Sequence, residues 1–99
     1  MLRIEVRAAD HLSSQARTYA EYRVFAALLP LTREGDVRGA QVELRDAAYG
    51  AECVITIVRD RAPMTVRASA SHVYGAINRA VERLDDLVHE SLTANSREA

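Results

Sequence analysis

The strongest constraint on this chain is a switch in hydrophobic period, from two to nearly four and back, repeated along its length. Residues 2–7 alternate strictly: Leu2, Ile4 and Val6 against Arg3, Glu5 and Arg7, the pattern of a half-buried strand. From Ser14 to about Leu29 the apolar residues recur at helical spacing, with Leu12, Ala16, Ala20, Val24 and Leu28 on one stripe. Ser13 and Ser14 offer an N-cap and Pro30 a stop. Residues 31–36 read as a polar connection. Alternation returns over 37–45, where Ala40, Val42 and Leu44 oppose Gln41, Glu43 and Arg45.

A turn at Asp46–Gly50 leads into residues 51–59, the most β-prone run of the chain and apolar on both faces. A second turn at Asp60–Pro63 leads into 64–70, with Met64, Val66, Ala68 and Ala70 on one side. Ser71 can cap a last helix over 72–92, striped by Val73, Ile77, Ala80, Val81, Leu84, Val88 and Leu92. The expected order is therefore β-α-β-β-β-α, an α+β fold. Its first crossover makes a right-handed parallel unit and its two hairpins extend the sheet antiparallel. Each helix must bury one stripe, so both helices should pack on one face of a four-stranded mixed sheet. Residues 1–92 form one domain and 93–99 a polar tail.

Function is constrained mainly by exclusion. No apolar run approaches the ~18 residues of a membrane span, and the opening residues do not resemble a signal peptide. One cysteine, Cys53, allows no internal disulfide and points to the cytoplasm. His11, His72 and His89 form no metal-ligand pattern, so neither a metal nor a cofactor is expected. The glycines form no phosphate loop. Asp85 and Asp86 point about 100° apart on their helix and do not converge. The chain reads as a non-enzyme.

The basic residues carry the remaining signal. All 13 are Arg and none is Lys, against 14 acidic residues, for a net charge of −1. That balance argues against binding nucleic acid through global charge, yet Arg has the planar fork suited to phosphate and base edges. Arg79 and Arg83, four apart, share one face of the last helix. Glu82, Asp86 and Glu90 stand at spacings that can neutralise them. Arg17 and Arg23 lie on different stripes of the first helix.

Several stretches resemble the bacterial ribosome hibernation-promoting factors, also called ribosome-associated inhibitors or sigma-54 modulation proteins. The opening Ile4-Glu-Val-Arg7 looks like that family's first strand. Ser14-Gln-Ala-Arg17, followed by Tyr-Ala-Glu-Tyr-Arg23-Val, is similar to its first helix. Ser71-His-Val-Tyr74-Gly-Ala76-Ile77-Asn78 resembles the start of its last helix. Arg83 falls where the family commonly carries Lys or Arg.

The resemblance implies a ribosome-associated protein that inhibits translation under stress, seated on small-subunit rRNA near the decoding site. It offers Arg17, Arg23 and Arg83 as RNA contacts, joined by Arg79 because it shares the face of Arg83, with Tyr74, Ala76 and Ile77 packed against the sheet and Asn78 open to either role. The chain departs from the family at Leu84-Asp-Asp-Leu-Val-His-Glu90, where further basic residues are usual. The resemblance would make it a short, one-domain member, without the dimerisation domain of the long forms. A different reading keeps the fold but makes it a protein-interaction or self-associating module, a homo-oligomer joined through Val54, Val58, Tyr22 and Phe25. An arginine patch without acidic partners favours RNA; pairing of each arginine with an acid favours protein.

Overall fold

The computed structural model describes residues 2–34 and 36–98, with side-chain surroundings for 2–32 and 36–92. Its elements are β1 (Arg3–Ala8), α1 (Ser14–Leu28), a 3-10 turn (Leu29–Glu34), β2 (Val37–Ala47), β3 (Gly50–Arg59), β4 (Met64–Ala70) and α2 (Val73–Glu98). The four strands lie in the order β1-β2-β3-β4, with β1 parallel to β2 and both later pairings antiparallel. This is the expected β-α-β-β-β-α architecture.

Period-two alternation places the core. In register, Leu44 faces Cys53, Val42 faces Ile55, and Ala40 faces Ile57, while Ile55 also faces Val66. These residues form one buried cluster with Ala20, Val24 and Leu28 of α1 and Ile77, Val81 and Leu84 of α2. Both helices therefore cover the same face of the sheet. Burying an aliphatic side chain of this kind contributes roughly 1.5–3 kcal/mol, so the stripe of α2 is a large part of what holds that helix down. Ile4 and Val6, on the edge strand β1, are half-buried and pack against the cluster.

Several local expectations are corrected. Helix α1 ends at Leu28, one residue before the sequence-based limit, and the chain tightens into the 3-10 turn. The connection read as polar carries Leu31, which is 2% exposed and belongs to the core. Strand β2 runs on to Ala47, leaving Ala48 and Tyr49 as the turn. The cap of α2 is His72, not Ser71: its Nδ1 accepts from the Gly75 N–H at 3.2 Å. Ser13 caps α1 as expected, its hydroxyl accepting from the Ala16 N–H at 3.2 Å. The α2 backbone is helical as far as Glu98; the tail assigned to 93–99 lies outside the described side chains.

The open face of the sheet is mostly polar and largely self-neutralised. Arg3 pairs with Glu5, and Arg45 with Glu43 and Glu52. At the end of the β2–β3 hairpin, two ion pairs cross: Arg38 with Asp60 and Arg61 with Asp36, each at 3.0 Å. Val54 lies on this face but is only 6% exposed, while Val58 is 38% exposed.

Candidate nucleic-acid interface

Helix α2 follows β4 directly, and its arginines return to that strand. Arg79 Nη1 donates to the Ser69 carbonyl at 3.0 Å, and Arg83 Nη1 donates to the Arg67 carbonyl. The two spacings match physically. Four helical residues advance about 6 Å, and two strand residues about 6.7 Å. Because β4 is an edge strand, these carbonyls have no strand partner beyond them, and the guanidinium groups satisfy them. Each guanidinium has five N–H donors, so most remain available after one carbonyl is satisfied. Both arginines are exposed.

Arg17 lies elsewhere, at the opposite edge of the sheet, where its Nη2 donates to the Ala8 carbonyl at 3.3 Å. Arg23 sits on the side of α1 that faces the α1–α2 seam. Its guanidinium carbon is 5.9 Å from the centroid of the Tyr19 ring, within reach of a cation–π contact. Tyr19 is held in turn from α2. Its hydroxyl donates to Asn78 Oδ1 at 2.6 Å, and its ring lies 5.3 Å from that of Tyr74, tilted by 60°.

The four sequence-predicted arginines are thus not one patch. Arg79 and Arg83 stand together along β4, Arg23 stands on the helix seam, and Arg17 at the end of β1. They share a different property: among the described residues, none of the four has an ion-pair partner. The carboxylates of Glu82, Asp86 and Glu90, spaced to neutralise Arg79 and Arg83, do not pair with them. The arginines that do pair, Arg3, Arg38, Arg45 and Arg61, belong to the strands and hairpins. On the strands Arg7, Arg59 and Arg67 likewise have no ion-pair partner among the described residues, so uncompensated positive groups occur on both layers, and α2 also exposes Glu82, Asp85 and Asp86.

Sequence reasoning misplaced the role of Tyr74, which leans across to α1 and is 37% exposed instead of packing on the sheet. It also missed Tyr19 as the hub between the helices. The Tyr19/Arg23 spacing of four is a signal that could have found part of it. Asn78 is engaged by Tyr19. Cys53 is wholly buried; desolvation, with a smaller contribution from the charge of Glu52, pushes its thiol up to about 12, so it stays protonated at neutral pH. Among the described residues no group of three or more His, Cys, Asp or Glu could hold a metal ion, and no helix is long and apolar enough to cross a membrane.

Two solved structures share the architecture. A ribosomal subunit interface protein from Coxiella burnetii superposes with a TM-score of 0.75 at 8% identity, covering 91% of this chain and 97% of that one. The N-terminal domain of Protein Y from Thermus thermophilus superposes with a TM-score of 0.68 at 23% identity, covering 88% and 93%. No family model and no curated protein matches the sequence. At these identities the likeness establishes the fold.

Proposed function

We propose that residues 1–92 are a single domain of the hibernation-factor type, acting without catalysis on the ribosome in the cytoplasm. In this reading it binds small-subunit rRNA near the decoding site through Arg17, Arg23, Arg79 and Arg83. The observation that carries the reading is the pair Arg79 and Arg83, exposed side by side along β4 without carboxylate partners, on a fold shared with a ribosomal subunit interface protein. The β4 carbonyls support it further. They hold the guanidinium groups of Arg79 and Arg83 in place, which lowers the ordering cost of a charge-assisted contact to phosphate.

The test is pelleting with 70S particles at ~50 and ~200 mM salt, a window over which phosphate contacts weaken measurably. Wild type should pellet at the lower salt and be released at the higher. Arg83→Ala should weaken pelleting more than Arg38→Ala, because Arg38 is already held by Asp60. Asp86→Arg should strengthen it by adding a cation one turn from Arg83. Failure of wild type to pellet at low salt, with no rescue by Asp86→Arg, refutes ribosome binding.

A self-associating module is the second reading. It is favoured by Tyr22, Phe25 and Leu29, which follow one another at helical spacing and are 68%, 40% and 47% exposed. Sedimentation equilibrium across a hundredfold range of concentration separates the two: this reading requires a dimer that Phe25→Glu dissolves.

A further inference from the structure

Beside Tyr19, the outer surface of α1 carries a shallow open hollow lined by Ser14, Gln15, Thr18, Tyr19 and Tyr22. Its lining contains no charged and no aliphatic side chain. Its polar groups are hydroxyls and one amide, which between them both donate and accept hydrogen bonds. Tyr22 is 68% exposed, with its ring free of any aromatic partner among the described residues. The rear wall is fixed, because Tyr19 is held by Asn78, Tyr74 and Arg23 together. Arg23 flanks the hollow and has no ion-pair partner among the described residues. Asp85 shares the adjoining hollow with Arg23 and Tyr22 but forms no ion pair with Arg23.

We propose that this hollow binds one unstacked RNA base. Tyr22 supplies the stacking face, Gln15 and Thr18 hydrogen-bond the base edge, and Arg23 takes the adjoining phosphate. A flat neutral ligand with mixed donors and acceptors on its rim fits this lining, whereas an anionic group would meet no cation inside it. Aromatic platforms beside arginine are a general solution for single-stranded RNA. The inference rests on the RNA-binding reading above and assigns it a residue that carries no charge.

The experiment uses the full chain, 70S pelleting, and a single-stranded decamer RNA containing one 2-aminopurine, whose fluorescence is quenched on stacking. Wild type should quench the probe. Tyr22→Ala should weaken decamer binding about 5- to 150-fold, the range expected for losing one base–aromatic stack, and abolish the quench. Tyr22→Phe should restore both, and Tyr22→Leu, which keeps apolar bulk without a ring, should not. Tyr22→Ala should leave the salt slope of binding unchanged, while Arg23→Ala should lower it by about one contact. Far-UV circular dichroism checks that α1 persists in each variant. If wild type pellets and quenches but Tyr22→Ala matches it, the base site is refuted and ribosome binding stands. If wild type neither pellets nor quenches, both fall.

Discussion

Gly39→Ala is the substitution with the clearest structural consequence. Gly39 pairs with Arg3 where β1 joins the sheet, next to an irregularity in β2 between Val37 and Gly39. A Cβ there would lie 2.0 Å from the Arg3 carbonyl oxygen and 2.9 Å from its carbonyl carbon. Unstrained contacts between heavy atoms need about 3.5 Å. The obstacle is backbone, so no rotamer change relieves it, and β1 must retreat by roughly 1.5 Å. That breaks roughly two or three ladder hydrogen bonds, at about 1 kcal/mol each. It also draws the half-buried Leu2 and Ile4 away from the core, for about 1 kcal/mol more. The opposing gain from restricting the unfolded chain is only about 0.4–1 kcal/mol, so destabilisation wins. We expect a net loss of about 3 kcal/mol, a large share of the roughly 5–15 kcal/mol available to a domain. With a urea slope near 1.5 kcal/mol/M, the midpoint should fall by about 2 M. Hydrogen exchange should show the loss of protection concentrated in β1. A fall of less than about 0.7 M, with β1 amides still protected, would refute the reasoning.

Ile77, wholly buried in the core, should cost about 2–5 kcal/mol when changed to Ala; a loss below about 1 kcal/mol in a urea melt would mean that α2 is docked differently. The Cys53 thiol should resist a thiol reagent at pH ~8 in the native protein and react fully in denaturant, since burial keeps it protonated; fast native labelling would contradict its placement. At Asp36, desolvation pushes the carboxyl up, but the hydrogen bond and charge of Arg61 more than reverse it, leaving it below its ordinary value. Its contribution is therefore present above the unfolded carboxylate pKa of ~3.9 and lost as pH falls through the lower folded value. Urea midpoints followed from pH ~5 to ~2.5 should fall more steeply for wild type than for Asp36→Asn, and parallel curves would remove Asp36 from the acid limb.

The elements were legible because their signals are local. Alternation at 2–7, 37–45 and 64–70, the helical stripes ending at Leu28 and Leu92, and the Ser13 cap each concern residues only a few positions apart. The chirality of the crossover then leaves little choice in how the sheet is assembled. Spacing alone put only Arg79 and Arg83 on one helix face; Arg17, Arg23 and Arg83 were singled out by the family resemblance, and Arg17 and Arg23 lie on different stripes of α1.

What those side chains touch was not legible. Glu82 and Asp86 are closer to Arg83 in sequence than Arg67 is, yet Arg83 donates to the Arg67 carbonyl because α2 lies along the open edge of β4. Leu31 looked like part of a polar connection and is core because the 3-10 turn folds it inward. Tyr74 looked like a sheet contact and meets Tyr19 because the two helices lie side by side. The need for glycine at position 39 depends on a carbonyl 36 residues away in the chain. Backbone period is decided by neighbours within a turn or a pleat, so the sequence alone determined the elements, their order and the faces they bury. The partners of the arginines and tyrosines, and so the chemistry of the helical surface, were decided only when the elements packed.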